Sequence, residues 1–263
     1  MINHTFAIPA YTDSPYLEEC ILSLKNQTTK GEIIITTSTP SDYIKNIANK
    51  YSIKYFVNNE TRGLANDWNF AFSKAKTKFV TLAHQDDIYE SDYLKKIFDK
   101  LEKQKNKRNL IIFTDYIDLI ENKDRKISLN YTIKKILLFP FLIKNNISCK
   151  FIKKSVLLLG DPICCPAVTI NKEIKDFSFS TDFNVNPDWF AWLELSKIEG
   201  SFVFINKRLM KHRIHEGMET MRQIKSNGRL EEELKMFQIM WGKRMGKLIS
   251  LIYSFSHKNN ILK

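Results

Sequence analysis

The stretch FVTLAHQDD at residues 79–87 decides the fold of this chain. A short apolar run with the composition of a strand ends at two adjacent carboxylates, Asp86 and Asp87. A buried strand that carries carboxylates to its end is typical of a site that holds Mg²⁺ or Mn²⁺ against a diphosphate, because these ions prefer oxygen ligands and take few from the protein. The alternative interpretation is a solvated turn in which the aspartates cap the next helix.

Strand and helix patterns alternate on both sides of this stretch. Apolar runs typical of strands occur at residues 5–8, 32–36, 53–57, 78–83 and 110–114. Helical spacing separates them, with Ser14 and Ser41 as predicted N-caps. Strands that alternate with helices predict a mostly parallel sheet with right-handed crossovers. Four of the runs end in polar residues, and ligands of such sheets bind beyond the carboxyl ends of the strands.

Composition limits the class of protein. The 263 residues are 43% hydrophobic, which suffices for one large α/β domain with a small appendage. Four cysteines without CxxC spacing predict reduced thiols, and the first residues lead directly into a strand without a secretion leader. No apolar window is long enough to span a membrane. The expected location is therefore the cytoplasm.

The net charge of +12 favours anionic partners. Basic and apolar residues mix most densely at 131–159 and 236–263, a pattern that suits the inner face of the cell membrane better than nucleic acid. The alternative interpretation is a soluble basic surface over an ordinary core. Residues 234–253 predict an amphipathic helix that lies on a membrane, packs on the domain or forms a homodimer. Because the alternation stops near residue 115, we expect one half over 1–115, a second half over 116–220 and a basic helical C-terminal extension over 221–263.

Five motifs, taken in order, resemble the family 2 glycosyltransferases over roughly residues 4–220. They are Ile8-Pro9-Ala10-Tyr11, the run from Asn59 to Asn69, His84-Gln85-Asp86-Asp87-Ile88, Pro187-Asp188-Trp189 and Arg213-Ile214-His215. The resemblance implies a GT-A fold, which is a Rossmann-like α/β domain of three layers with a mixed, mostly parallel sheet. It also implies an inverting enzyme that transfers a sugar from a nucleoside-diphosphate sugar. The half over 1–115 is then expected to bind the nucleotide sugar, and the half over 116–220 is expected to bind the acceptor. The expected acceptor is a glycan, lipid-linked, in the biosynthesis of a surface polysaccharide, lipopolysaccharide or capsule.

The resemblance assigns roles to individual residues. Asp188 is the expected catalytic base, in the first turn of a helix that begins at Asn186-Pro187. The expected ligands of the divalent metal, Mn²⁺ or Mg²⁺, are Asp86, Asp87 and His215. The residues expected to bind the nucleotide sugar are Pro9, Ala10, Tyr11, Thr37, Asn59, Arg62, Gly63, Asn69, His84, Gln85, Asp86 and Arg213.

Two departures from the family pattern affect the donor site. The metal motif of the family usually reads Asp-x-Asp-Asp, and His84 takes its first position here. An acidic residue often follows the second strand and contacts the base, whereas this chain has a run of hydroxyl residues at 36–39. Metal use and nucleotide choice are the properties that these departures affect.

Two other functions compete with sugar transfer. A sugar-nucleotidyltransferase shares the layered fold, but it needs a glycine-rich basic loop near the first strand, and residues 10–14 contain neither glycine nor a basic residue. A non-catalytic basic protein that binds a membrane surface or nucleic acid would not need Asp86, Asp87 or Asp188, and salt would abolish its binding.

Overall fold

The computed structural model of the chain describes residues 3–104, 107–125, 128–215 and 228–261. The strands in these ranges form one sheet. In chain order they are β1 (His4–Ala10), β2 (Glu32–Thr37), β3 (Lys54–Val57), β4 (Phe79–Leu82), β5 (Ile88–Tyr89), β6 (Asn109–Ile120), β7 (Lys123–Arg125), β8 (Asn146–Ile147), β9 (Val168–Asn171) and β10 (Ser201–Ile214). Their order is β3-β2-β1-β4-β9-β6-β10-β5, with β7 beside β6 and β8 beside β10.

The directions of the strands bring several ends to one edge. β1 is parallel to β2 and β4, and β2 is parallel to β3. β9 runs antiparallel between β4 and β6, so β6 keeps the direction of β4, and β10 runs parallel to β6. The carboxyl ends of these parallel strands therefore meet at one edge, where ligands of α/β sheets bind. The predicted α/β class with a mixed, mostly parallel sheet is confirmed.

Helices cover both faces of the sheet. They are α1 (Leu17–Lys25), α2 (Asp42–Lys50), α3 (Leu64–Lys74), α4 (Tyr93–Glu102), α5 (Leu129–Leu137), α6 (Phe139–Ile143), α7 (Lys150–Ser155), α8 (Pro187–Lys197) and α9 (Gly228–Ile261). Along β1, Phe6 and Ile8 pack into a core with α1, α2 and α4, whereas Ala7 belongs to a second core with α3, α8 and α9. This alternation is the period of a strand buried on both faces, and it produces three layers.

The ends of two helices test the predicted caps. Ser41 caps α2 as predicted, because its hydroxyl accepts a hydrogen bond of 3.2 Å from the backbone N–H of Ile44. The predicted cap at Ser14 is wrong. α1 begins later, at Leu17, and the hydroxyl of Ser14 donates to the carboxylate of Asp86 instead.

The second half differs most from the predicted pattern. Residues 165–167 form a 3-10 turn rather than the start of a strand. The last strand, β10, extends far beyond the predicted run 202–205. The sequence did not reveal its length, because shifts of register between Ile205 and Met210 interrupt the alternation of its side chains. Residues 128–155, which show little periodicity in sequence, contain α5, α6 and α7. β6 crosses residue 115, so the two predicted halves share a strand.

The C-terminal helix α9 packs back onto the second half. The ring of Phe237 contacts that of Trp189, and the indole N–H of Trp241 donates to the carbonyl of Leu158. The helix is kinked at Gly242, whose φ of 78° is unfavourable for other residues. The predicted extension begins at 221–227, outside the described residues. In the described ranges, no helix has the length and apolar character needed to cross a membrane.

The buried side chain of Lys153 holds the end of α8. Its Nζ atom donates to the carbonyls of Ile198 and Gly200, each at 2.8 Å. These groups follow the last turn of α8, where a positive charge is favourable for the helix dipole. Lys153 therefore joins α7 to the segment between α8 and β10.

We expect Lys153→Met to lower the free energy of unfolding by about 2–4 kcal/mol, because buried carbonyls lose a charged donor. Urea denaturation measures the change. Lys150→Met is the matched control, since Lys150 lies exposed on the same helix. Equal unfolding midpoints for the two variants would contradict the bridging role.

Candidate active site

Asp86 lies at the carboxyl edge of the sheet between a hydroxyl and an imidazole. Ser14 donates to its Oδ1 atom at 2.6 Å, and the Nε2 atom of His215 lies 3.2 Å from its Oδ2 atom. The side chains of Asp86 and His215 are each 21% exposed. The ring of Tyr16 packs against the ring of His215 with 5.0 Å between centroids. The structure therefore brings together a carboxylate and an imidazole that are far apart in sequence.

Asp87 does not face this pair. Its side chain is buried, and its Oδ1 atom accepts a hydrogen bond of 2.9 Å from the backbone N–H of Arg213. Burial raises the pKa of Asp87 to about 7. The carboxyl group thus supports the turn after β4, and the geometry does not place it with the other two predicted metal ligands.

Arg213 connects the end of β10 to three other segments. Its guanidinium donates to the carboxylate of Glu19 at 2.5 Å, to the side chain of Asn122 at 2.6 Å and to the backbone carbonyl of Asp86 at 3.0 Å. It also lies over the ring of Tyr16, 4.3 Å from the centroid. Because the side chain is 3% exposed and three of its N–H groups bind the protein, the structure gives Arg213 a positioning role, and its contact with the nucleotide sugar stays a prediction.

His84 occupies the position where the family pattern has a first carboxylate. Its ring lies beside the indole of Trp68, with centroids 5.2 Å apart. Burial, followed by the nearby charge of His212, lowers the pKa of His84 to about 4, so the imidazole is neutral at pH 7. Its Nε2 atom is buried and has no hydrogen-bond partner among the described residues. A neutral imidazole in this state has a free position for a polar atom of a ligand.

The loop after β1 is fixed by side chains of its neighbours. Gln85 pairs with the backbone of Tyr11 through two hydrogen bonds, of 2.8 and 3.1 Å. The hydroxyl of Thr39 accepts from the backbone N–H of Thr12, and the hydroxyl of Thr37 accepts from that of Thr39. Pro9 and Ala10 end β1 directly before this loop, so these predicted donor-site residues lie at the same edge.

The run from Asn59 to Asn69 contributes two different elements. Asn59 and Arg62 are exposed in the loop after β3, and Gly63 begins α3 with a φ of 121°. Asn69 lies inside α3, and its amide exchanges two hydrogen bonds of 2.8 Å with the backbone of Phe179. The structure therefore uses Asn69 to anchor a loop of the second half, and it does not present this amide to a ligand.

Asp188 lies in the first turn of α8, as predicted. Burial raises its pKa to about 6. Hydrogen bonds from the backbone and the positive charges of Lys134 and Arg229 act in the opposite direction and lower the pKa. Burial, and then the charge of Asp188, also raise the pKa of Asp161. A half-buried carboxyl group with a pKa near neutrality is suited to accept a proton.

Cys164 lies directly before the 3-10 turn at residues 165–167. Burial raises the pKa of its thiol, and the charges of Asp87 and Asp188 act on it in the same direction. The 3-10 turn that follows is held by Tyr89, whose hydroxyl donates to the carbonyl of Pro166 at 2.7 Å. Asp87, after β4, and Asp188, on α8, therefore both lie close enough to this thiol for their charges to act on it.

Sequence reasoning missed several residues that shape the site. Asn58 closes the loop after β3, since its amide donates to the carbonyl of Thr61 and its oxygen accepts from Glu60. Glu232 on α9 accepts three backbone hydrogen bonds, of 2.5, 2.9 and 3.0 Å, from Asn184, Val185 and Asn186. Only the pattern of Asn58 is local in sequence, where an Asx turn is a recognisable signature.

The donor atoms present fit a divalent metal only in part. Asp86 and His215 offer one oxygen and one nitrogen, a set that suits Mn²⁺ better than Mg²⁺. Among the described residues, no group of three or more histidine, cysteine or acidic side chains is placed to hold a metal. A metal bound here would need the oxygens of a bound diphosphate as further ligands. Substrate phosphates commonly complete the coordination of ions that have few protein ligands.

Comparisons with known proteins identify the relatives of this architecture. The model of glycosyl transferase family 2 matches residues 5–172. Among solved structures, TarS 1–349 of S. aureus is similar over 97% of this chain and 72% of its own, with a TM-score of 0.65 and 13% identity. The same fragment in complex with UDP-GlcNAc is similar over 96% and 71%, with a TM-score of 0.62 and 13% identity. No curated protein sequence matches. Asp188, Arg213 and His215 lie beyond the matched region.

We expect Glu232→Gln to loosen the segment that precedes Asp188, because an amide has one acceptor oxygen where the carboxylate binds three N–H groups. Hydrogen exchange of the amides at 184–186 should become faster, and the free energy of unfolding should fall by about 1–3 kcal/mol. Glu231→Gln is the control, since Glu231 is exposed on the same helix. Unchanged exchange at 184–186 would show that Glu232 does not hold the segment.

Proposed function

The chain belongs to glycosyl transferase family 2, and from this premise we propose that it is an inverting enzyme that moves a sugar from a nucleoside-diphosphate sugar to a hydroxyl of a glycan acceptor. The observation that carries the proposal is the pair of Asp86 and His215 at the carboxyl edge of the sheet, together with the half-buried carboxyl group of Asp188 in the first turn of α8. The pair of Asp86 and His215 suits a diphosphate, and Asp188 suits the removal of a proton.

The donor is proposed to lie over the carboxyl ends of β1, β2 and β4. The loop that Gln85 and Thr39 hold there presents backbone groups and hydroxyls in place of a carboxylate for the base. The neutral imidazole of His84 has a free nitrogen for a hydroxyl of the donor. TarS binds UDP-GlcNAc, so uridine nucleotides are the first donors to test.

Asp86 and His215 are the residues proposed to hold a divalent metal at the diphosphate. The ion would supply positive charge to the departing diphosphate. Ser14 and Tyr16 keep the two ligands in place through a hydrogen bond and a ring contact. Asp87 supports the same turn from inside and is left out of the proposed ligand set.

Asp188 is proposed to act as the general base. It takes the proton of the acceptor hydroxyl while that oxygen bonds to the anomeric carbon on the side opposite the diphosphate. The bond from the anomeric carbon to the diphosphate oxygen breaks, and its electron pair leaves with the diphosphate. A base with a pKa of about 6 is ionised at neutral pH and still accepts a proton effectively.

The acceptor is proposed to be a lipid-linked glycan of a surface polysaccharide, lipopolysaccharide or capsule. The support is the basic and apolar composition of the second half, which suits an enzyme working at the inner face of the cell membrane. Helix α9 packs on the domain through its buried side, and its exposed side remains available to a membrane or to a second copy of the chain.

The competing functions explain less of the geometry. A nucleotidyltransferase needs a flexible glycine-rich loop, whereas the loop after β1 is fixed by side-chain hydrogen bonds and contains no glycine. A protein that only binds a membrane or nucleic acid gives no reason for the free imidazole nitrogen of His84 or for the carboxyl groups of Asp86 and Asp188. Sugar transfer uses both.

Asp188→Asn tests the base. We expect the transfer rate to fall by about 10²–10⁴-fold, because the amide cannot accept the proton, while nucleotide binding remains. In the unchanged protein, the rate should fall as the pH drops below about 6, where Asp188 becomes protonated. The assay follows release of nucleoside diphosphate from UDP-GlcNAc and other donors. Retained activity in Asp188→Asn would remove the base assignment.

Asp86→Ala tests the metal position. Calorimetry with nucleoside diphosphates should show binding that strengthens with Mn²⁺ and weakens with a chelator in the unchanged protein. In Asp86→Ala the gain from Mn²⁺ should fall by at least about tenfold, because one of two protein ligands is lost. Asp99→Ala, an exposed change on α4, is the control. A full gain from Mn²⁺ in Asp86→Ala would exclude Asp86 as a ligand.

A further inference from the structure

Helix α5 has its polar and apolar sides reversed. Its inward positions are polar, since Tyr131 donates to Asp115 at 2.8 Å, and Lys135 pairs with the same carboxylate at 2.8 Å. Its outward positions include Leu129 and Ile136, which are 59% and 66% exposed. A helix on a water-covered surface normally shows the opposite arrangement. The outer side of α5 is therefore suited to an apolar environment.

The outward apolar positions continue into α6. Phe139 and Ile143 are 58% and 75% exposed, whereas Phe141 is buried against Phe113. Together with Leu129 and Ile136 they recur at spacings of seven, three and four residues, which keep side chains on one side of a helical segment. Phe151, at the start of α7, is 76% exposed and adds a further large ring.

The charge around these residues has one sign. Residues 126–160 contain seven lysines and neither aspartate nor glutamate. Lys144, directly after α6, and Lys150, the first residue of α7, are both exposed. Lys144 also lines a shallow cavity of about 370 Å³ together with Lys107 and Arg108. Exposed aliphatic side chains bordered by lysines complement a surface with an apolar interior and anionic head groups.

We propose that α5, α6 and the first turn of α7 form a docking face for an anionic lipid bilayer. The docking face consists of Leu129, Ile136, Phe139, Ile143 and Phe151, with Lys144 and Lys150. Leu129, Ile136 and Ile143 lack the flat rings on which bases of nucleic acid stack, and they make up most of the apolar residues of the face. A second copy of the chain would bring a second Lys144 and Lys150 to the same contact, where like charges repel.

The docking face has a consequence for the acceptor, which rests on the proposed function. Lys134 projects inward from α5, donates to the hydroxyl of Tyr116 at 3.0 Å and places its charge near Asp161 and Asp188. One helix thus borders the proposed acceptor region on one side and the bilayer on the other. A lipid-linked acceptor would reach the site from the membrane that α5 contacts.

The test measures binding of the full chain to vesicles of phosphatidylcholine, with and without phosphatidylglycerol, by flotation. The chain should float with the anionic vesicles, and salt should weaken this binding. The double change Ile136→Glu with Ile143→Glu should weaken it by at least about tenfold, because two apolar anchors become charged. Leu22→Glu, the same type of change at an exposed position on α1, is the control and should bind normally.

A second variant separates loss of docking from loss of folding. Lys144→Gln with Lys150→Gln keeps the apolar residues and should weaken binding to anionic vesicles by about tenfold or more, since each lysine near such a surface contributes about fivefold. Binding of anionic vesicles by both double variants as strong as that of the unchanged chain would overturn the proposal and assign binding to another surface. Failure of the unchanged chain to bind anionic vesicles would overturn it as well. A third contradicting result would be that the unchanged chain forms a dimer and that only the change Ile136→Glu with Ile143→Glu dissociates this dimer. Nucleotide binding is measured without lipid, so the two proposals fail separately.

Discussion

The buried guanidinium of Arg213 is the interaction on which the geometry of the site depends. It contacts α1 through Glu19, the turn after β6 through Asn122, and the turn after β4 through the carbonyl of Asp86. A buried guanidinium is stable only where its donors meet acceptors. These segments are therefore held at fixed distances around the end of β10, although up to 194 positions separate the paired residues in sequence.

This constraint explains why two adjacent aspartates behave differently. The backbone N–H of Arg213 binds Asp87 from the interior, so Asp86 remains at the edge with Ser14 and His215. Because burial raises the pKa of Asp87 to about 7, its carboxyl group is partly protonated near neutral pH. The edge then carries mainly the charge of Asp86, which reduces the repulsion of an anionic diphosphate.

The first half of the fold could be predicted from the sequence because its determinants are local. The strands around residues 5–8 and 32–36 alternate between two cores, and Ser41 caps the helix after the second. The second half could not be predicted equally well. Its inverted helix α5 contradicts the rule that apolar residues face the core, and shifts of register interrupt β10.

The candidate site shows the same division. The sequence suggested that residues near 10, 37, 62 and 86 lie at one edge, because each follows a strand. It could not show which polar groups are used up by the protein itself. Asn69 and Arg213 have their donors occupied by Phe179 and Glu19, and Glu232 holds Asn184–Asn186 across 46–48 positions. Such pairings are decided by tertiary contacts, which leave no local pattern.

Helix α5 joins the two aspects of the proposed function. Burial raises the pKa of Asp161 and Asp188, and the inward charge of Lys134 opposes that rise. The same helix presents Ile136 outward, two positions later. In water, no rotation of the helix gives both Lys134 and Ile136 a favourable environment. A rotation that buried Ile136 would move the charge of Lys134 away from the carboxylates. The reversed helix suits a position with carboxylates on one side and an apolar phase on the other, which is the arrangement that the proposed docking face and the proposed acceptor region together supply.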